Sequence, residues 1–497
     1  MDIRENNNNR ITLQQIARRA MFSRGLLPDF PMLALAELKD LHFPASYQST
    51  EAKDMRKLLW CSVDNADSLD LDQLSYAEQM PGNKVRLLVA IADVEALVTE
   101  QSSINHYASQ NTSSIYTIAQ IFPMLPEKLS TDLTSMRQGE DRCAVVIEMV
   151  IGDDGAVHQS DVYCATVFNH AKLQYESLGE WLEENGPIPS EVRMVEGLAE
   201  NILLQDRIAQ KMKDLRYEHG ALEFETIEAR PVFEGEVLSQ MKGELKNRAK
   251  SLIEDFMIAA NGATARYLAG KNFPSLRRVV RTPKRWDRIV ELASEQGFSL
   301  PEKADSKSLS AYLKYIKQND PQHFVDMSIS VLKLLGSGEY VVETPGDVSE
   351  GHFGLAVKDY THSTAPNRRY PDLVTQRLLK SAMVGHSVPY SVEQLEEIAQ
   401  HCSRKEDDVR KVQRQVEKSA NAMLLEARIG EIFEAIVSGA SPKGTWIRLI
   451  HPHVEGKLVN GFRDLQVGHR LKVRLVQIDI ESGFIDFERI EDHMNGK

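Results

Sequence analysis

Two spacings of apolar residues run through this chain, and they divide it into regions. Near the start, TLQQIARRAMF (12–22) is apolar at helical spacing, and Thr12 is a suitable N-cap. Gly25 and Pro28 end that helix, and 31–41 reads as a second short one. Two helices and a tight turn fit a helical cap or a helix-turn-helix module. Residues 1–10 are polar and read as disordered.

The spacing then changes. LLWCSV (58–63) and VRLLVAIADV (85–94) are buried-strand runs, with a turn at Pro81–Gly82–Asn83 before the second. Residues 103–114 predict a helix. In IYTIAQIFPMLPEKLSTDL (115–133), Pro123 and Pro126 hold an extended segment. CAVVIEMVIGDDGAV (143–157) is a hairpin, and HAKLQYESLGEWL (170–182) returns to helical spacing. Helices follow over 202–216 and 248–271, with strand-like LEFETIEARPVFEGEVL (222–238) between them. Helical and loop segments continue to about 335. In 351–379 a short apolar strand leads into a polar loop carrying Ser363, Thr364, Asn367, Arg368 and Arg369, and Pro371 and Asp372 open a helix. Residues 391–428 form a long charged helix. From 430 to 488, five short strands separated by Gly-containing turns mark a small OB-type barrel.

Chemistry concentrates in SVDNADSLDLDQLSY (62–76). Asp64, Asp67, Asp70 and Asp72 crowd the place where a core strand meets a turn. On an extended backbone Asp70 and Asp72 share one face, and Leu69 and Leu71 the other. An acidic surface turn is the ordinary reading of such a stretch. The density of acids beside apolar runs points instead to a site for a hard cation, magnesium or manganese. No EF-hand loop is present, because the Gly and terminal Glu are missing at their offsets.

The composition narrows the classes. Apolar content of 42% and charged content of 26% are those of a soluble globular protein. Cys61, Cys143, Cys164 and Cys402 include no CxxC pair, which argues against a disulfide scaffold or zinc site and for a reducing cytoplasm. No signal peptide and no membrane-length apolar run is expected. A net charge of −13 argues weakly against nucleic acid, yet basic residues cluster locally. Arg277, Arg278, Arg281, Lys284, Arg285 and Arg288 form one group, and Arg368 with Arg369 another. Arg404, Lys405, Arg410, Lys411 and Arg414 form a third, which reads best as a solvated helix face. An Arg pair at a helix start suits phosphate or bridges domains. In the tail, Trp446, Phe433 and His453 are candidates for base stacking, though Phe433 fits the barrel core. Lys443, Arg448 and Lys457 are candidates for phosphate contacts.

Taken together, SVDNADSLDLDQL, VAIADV (89–94), PMLPEKLSTDLTSM (123–136), AKLQY (171–175), IEDFMIAAN (253–261), HFGL (352–355) and TAPNRRYPDL (364–373) resemble the motifs of the ribonuclease II/R (RNB) family of exoribonucleases. The last is close to that family's TSPIRRYPDL. The resemblance runs in order over roughly 55–430, and the tail resembles the S-one type of OB domain. It implies an α+β multidomain fold: an N-terminal helical segment (1–52), an RNB catalytic domain with a mixed sheet and surrounding helices (53–428), and an OB barrel (429–497). The family's usual N-terminal cold-shock domains are not recognisable here.

The implied activity is processive hydrolysis of single-stranded RNA from the 3′ end to nucleoside 5′-monophosphates. The resemblance implies a magnesium site at Asp64, Asp70 and Asp72, with manganese as an alternative. It makes Arg368 the clamp on the scissile phosphate and Tyr116 the ring that stacks on the terminal base. Arg369, Trp446 and Arg277 are further candidates for RNA contact. The expected partner is single-stranded RNA, bound by a cytoplasmic monomer without a membrane. DNA binding by the N-terminal helices is a lesser option. There are departures. The family's fourth aspartate is Gln73, a neutral amide and weaker metal ligand. The Ser before the motif proline is Ala365, the Ile after it is Asn367, and a Glu that assists some members falls on Gln413. These leave a second reading, an RNA-binding protein of the same fold with a weak or inactive site.

Overall fold

The computed structural model describes residues 8–48, 52–225, 228–244, 246–441, 444–465 and 468–490. The apolar run at 85–94 becomes strand Val85–Ala92, buried except at Arg86 because both faces are covered. It sits in the middle of a seven-stranded sheet. Across the sheet the strands are Lys53–Asp54, Val157–Phe168, Asp141–Ile151, Val85–Ala92, Gln73–Gln79, Cys61–Asp64 and Ala171–Gln174. The outermost pair at each edge is parallel and the rest are antiparallel, so the sheet is mixed. Helices Leu198–Glu218, Arg248–Gly270 and Tyr370–Val384 place Ile202, Phe256 and Leu373 in the same apolar core.

Two local expectations change. Residues Ala171–Gln174 are a strand, and the helix begins only at Tyr175. Ala171 and Leu173 point inward and Lys172 and Gln174 do not, a period of two that pairing with Cys61–Asp64 makes use of. HFGL is a single 3-10 turn at Phe353–Leu355 rather than a strand. Gly351 at φ 70° bends the chain there, and His352 Nδ1 accepts the Leu355 N–H at 3.1 Å.

The N-terminal helix is Asn9–Phe22, longer than the spacing suggests, and its cap is Asn8 rather than Thr12. The stretch 1–7 lies outside the described residues. Leu13, Ala17, Ala20 and Met21 pack against Val409, Val412 and Val416 of the long helix Val392–Leu425. The helix is therefore a packed cap. The tail closes into a five-stranded barrel, ordered Ile432–Ser441, Gly444–Leu449, Glu455–Asn460, Phe484–Arg489 and Arg470–Asp479. Phe433 is core there, against Phe487. Ala422 and Leu425 of the long helix enter the same cluster. Gly483 makes that docking possible. A Cβ there would lie 2.7 Å from the Lys418 side chain. Among the described residues no helix is long and apolar enough to cross a membrane.

The N-terminal cap yields a test. Leu13→Asp puts an unpaired charge where no water reaches. The helix should undock while the sheet and barrel persist. Limited proteolysis should cut the N-terminal segment at least tenfold faster than in the parent; equal protection would mean that this packing does not hold the helix.

Candidate active site

The acidic stretch bridges two neighbouring strands. Asp64 ends Cys61–Asp64, and Asp72 immediately precedes Gln73–Gln79. Hydrogen bonds fix the turn between them. Ser135 Oγ accepts the Leu71 N–H at 3.1 Å and donates to the Leu69 carbonyl at 2.7 Å. Lys172 Nζ donates to the carbonyls of Ala66 at 3.0 Å and Ser68 at 2.6 Å. The simple alternation of faces does not hold: Leu71 and Asp72 are buried, while Leu69 is 62% exposed. Asp67 is exposed.

The arginine loop comes to this turn from 295 positions away. The Asn367 N–H donates to Asp72 Oδ1 at 2.9 Å. Arg368 Nε lies 3.4 Å from Asp72 Oδ2, and its side chain is 44% exposed. Two buried side chains shape the loop. Asn261 Oδ1, on helix Arg248–Gly270, accepts both the N–H and the Oγ–H of Ser363, at 2.8 and 2.9 Å. Asp372 Oδ1 accepts the Ala365 N–H at 2.8 Å and Arg369 Nη2 at 2.7 Å. Tyr116 joins from a small hairpin, its hydroxyl donating to Asp70 Oδ2 at 3.0 Å while a third of the residue stays open.

Burial dominates the electrostatics. It pushes the Asp72 carboxyl up to about 7, with Arg368 pulling the other way. Burial also raises Asp70, opposed by the Tyr116 hydrogen bond and Arg368. Gln73 Nε2 donates to the Thr364 carbonyl at 2.8 Å, a further neutral stitch between turn and loop.

Asp64, Asp70, Asp72, Gln73, Tyr116 and Arg368 thus belong to one neighbourhood. Others among the candidates do not. Arg277 and Arg278 lie in the fully buried strand Ser275–Val279. Arg277 is 2% exposed and pairs with Glu343 at 2.6 Å, so it is a structural cation and not an RNA contact. Arg369 pairs with buried Asp372 and serves the loop itself. Trp446 is half-buried on the barrel wall between inward-facing Thr445 and Ile447, far along the chain from the acids. Arg448 pairs with Asp326, Lys457 and His453 are exposed, and Lys443 lies outside the described residues.

The structure adds residues that the sequence reading does not name as site residues. Tyr175 follows the strand paired with Asp64, and Asn247 Nδ2 donates to its carbonyl at 2.6 Å. Asn247 also borders a cavity of about 540 Å³ lined by Arg216, Tyr217, Phe224, Arg248 and Glu254 among others.

Among the described residues no three Asp, Glu, His or Cys side chains converge tightly enough to hold one ion. The expected cage of Asp64, Asp70 and Asp72 around a single cation is not formed. Each acid is engaged by protein donors instead: Asp64 by Ser68 and Asn65, Asp70 by Tyr116, Asp72 by Asn367 and Arg368. The donor chemistry still fits a hard cation. Magnesium is commonly held by one or two carboxylates with substrate phosphate rather than by an all-protein cage.

Comparison with known proteins settles the lineage. The RNB domain family matches residues 52–385. The chain belongs to the RNB family. The RNase II-type exonuclease C-terminal S1 domain matches residues 431–490, the barrel of this RNB protein. Ribonuclease R 1 of Lactococcus lactis is 27% identical over 472 residues, covering 89% of this chain and 56% of the relative. Ribonuclease R of Thermotoga maritima is 28% identical over 470 residues, covering 88% and 65%. The chain therefore spans about half to two thirds of the length of these relatives. In structure it is similar to RNase R of Mycoplasma genitalium, solved with ribose-methylated single-stranded RNA. The TM-score is 0.87 at 23% identity, covering 98% of this chain and 79% of that one. The α+β architecture with a mixed sheet and a terminal barrel is that of the RNB fold.

Asp72 provides a test without substrate or metal. Its folded-state value near 7 lies above the ordinary 3.8, so the folded form binds the proton more tightly. Ionisation therefore opposes folding, increasingly from about pH 4 to pH 7, and fully above that. In chelator, Asp72→Asn should raise Tm relative to the parent, more at pH 8 than at pH 5. A gain that does not grow with pH would show that burial does not govern this carboxylate.

Proposed function

We propose that this chain is a hydrolytic 3′-to-5′ exoribonuclease acting on single-stranded RNA with magnesium or manganese. The observation that carries the reading is the meeting of Arg368 with buried Asp72, beside Asp70 and the Tyr116 ring, in a member of the RNB family. Acids and a guanidinium on one wall suit a phosphodiester. Tyr116 offers a π-face to the last base. A cavity reached from Tyr175 through Asn247, with Tyr217 and Phe224 among paired acidic and basic side chains, offers room and stacking surface for nucleotides.

One or two of Asp64, Asp70 and Asp72 would hold the cation together with a substrate phosphate, with the Gln73 side-chain oxygen as a neutral supplement. When bound, the ion lowers the pKa of the attacking water and neutralises charge on the phosphoryl oxygens. The chain's own residues do the rest. Arg368 binds a non-bridging phosphate oxygen and stabilises charge as it accumulates. Its exposed end leaves it free to meet substrate while Nε stays on Asp72. Water adds to phosphorus, the bond to the 3′ oxygen breaks, that oxygen takes a proton, and a nucleoside 5′-monophosphate leaves. RNA would be chosen over DNA through its ribose hydroxyls.

A second reading, an RNA binder with a weak site, draws on Gln73, whose amide nitrogen is engaged with the arginine loop. A 5′-labelled single strand incubated with and without magnesium or manganese separates the two. Shortening to a small end product supports the enzyme; intact RNA beside a clear gel shift supports the binder.

In the active protein, Asp72→Asn should abolish nucleotide release and leave RNA affinity within about threefold, since binding rests on other contacts. Unchanged turnover would remove Asp72 from the chemistry. Tyr116→Ala should raise KM by roughly 5- to 150-fold, from stacking of about 1–3 kcal/mol. A KM equal to the parent's would mean that the ring does not touch the bound strand.

A further inference from the structure

We propose that the buried pair Thr134 and Asn367 is a positioning device that aims Arg368 at the phosphate site. The inference rests on the exoribonuclease reading and assigns a role to residues outside the acid and arginine set.

Asn367 is the residue where the related motif carries Ile. It is 1% exposed, and Thr134 is 4% exposed. A polar pair this deep has a purpose or a cost. Its main chain supplies the N–H on Asp72 Oδ1, and the next residue is Arg368. The N–H of one residue therefore grips the carboxylate and the side chain of the next carries the guanidinium. A rotation of the backbone at Asn367 moves one against the other.

The side chain of Asn367 is what restrains such rotation. Thr134 Oγ1 lies 2.6 Å from Asn367 Oδ1, and also 2.8 Å from the Leu129 carbonyl. The neighbouring Ser135 holds the acidic turn through Leu69 and Leu71. Residues 134–135 thus touch both banks of the site: the arginine loop through Thr134, the acidic turn through Ser135.

Counting protons sharpens this. A hydroxyl has one proton and cannot serve both acceptors. The Leu129 carbonyl can only accept. Asn367 Nδ2 is buried without a hydrogen-bond partner. Turning the amide end for end resolves the conflict at the hydroxyl and leaves Oδ1 in the unpartnered position: Nδ2 donates to Thr134 Oγ1, which donates to Leu129. The result is a directed chain from Leu129 through Thr134 to Asn367, ending at the peptide that holds Asp72.

The two ends of the pair then differ. Removing the hydroxyl strands a buried amide, whereas replacing the amide leaves the hydroxyl satisfied by Leu129. Replacing both with apolar groups leaves nothing unpaired. Thr134→Val should therefore lower kcat by about 10- to 100-fold, the scale of a small misplacement of reacting groups, with KM within about threefold. Asn367→Ile should cost less than about fivefold. The double variant should recover to within about fivefold of the parent, and Thr134→Ser, which keeps the hydroxyl, should stay near it.

The experiment measures kcat and KM of these proteins on a single-stranded RNA at saturating magnesium, at a temperature where each is folded. Hydrogen–deuterium exchange over 361–370 is followed in parallel without RNA. Exchange should rise in Thr134→Val and return toward the parent in the double variant. An active parent in which the two kcat losses multiply would overturn the pair's role. So would a KM change that accounts for the whole loss, or a Thr134→Val kcat within twofold of the parent. An inactive parent with the exchange coupling intact would sink the exoribonuclease reading and retain the device. An inactive parent without that coupling would sink both.

Discussion

A carboxylate with almost no access to water, Asp72, ties the acidic turn to a loop 295 positions later. Placing a charge there is expensive unless it is hydrogen-bonded and paired. The Asn367 N–H and the Arg368 guanidinium meet part of that need. The Asp72 contact is also asymmetric. Asp72 is fixed on all sides, whereas Arg368 keeps nearly half of its side chain open. A rigid acid and an available cation are what a site needs if it is to receive a phosphate without rebuilding itself.

The rest of the catalytic region maintains that contact. The sheet delivers Asp64 and Asp72 on neighbouring strands. Helix Arg248–Gly270 delivers Asn261 to the back of the arginine loop, and helix Tyr370–Val384 delivers Asp372. Asp372 lies in the first turn of its helix, where a negative charge is favoured by the helix dipole. There it captures Arg369 and the Ala365 N–H together. Because Arg369 is consumed inside the loop, Arg368 is the member of the pair that faces the acids. The barrel and the N-terminal helix both dock on the long helix Val392–Leu425, which makes that helix the common mount for the parts that flank the site.

Much of this was legible in the sequence where one signal dominated. The acidic stretch, the helices read at 202–216 and 248–271, and the barrel strands each announced themselves by density or period. Other features were set by tertiary partners. AKLQ has helical neighbours but pairs with a sheet edge that only the folded chain provides. HFGL looks apolar enough for a strand, yet Gly351 just before it bends the chain into a turn. Arg277 sits in a basic cluster whose charge is cancelled by Glu343, 66 positions away. No local pattern reveals such a pairing. The same holds for two of the acids: spacing predicts crowding, but the donors that Asp70 and Asp72 meet come from distant segments, while Asp64 is engaged by its neighbours Asn65 and Ser68.

Three of the departures from the related motifs, at Gln73, Ala365 and Asn367, fall on one seam. Gln73 replaces a carboxylate next to Asp72 and donates to the Thr364 carbonyl. Asn367 replaces an aliphatic side chain and meets Thr134. Ala365 leaves its N–H to Asp372. A fourth carboxylate at position 73 would add like-charge repulsion to Asp70 and Asp72, both already raised by burial. A neutral amide removes that repulsion and cross-links the two banks instead. The seam has thus moved from charge density toward hydrogen-bonded shape. Such a site asks less of a counter-ion to stay folded, and relies more on the fit of its neutral contacts to keep Arg368 and Asp72 in register.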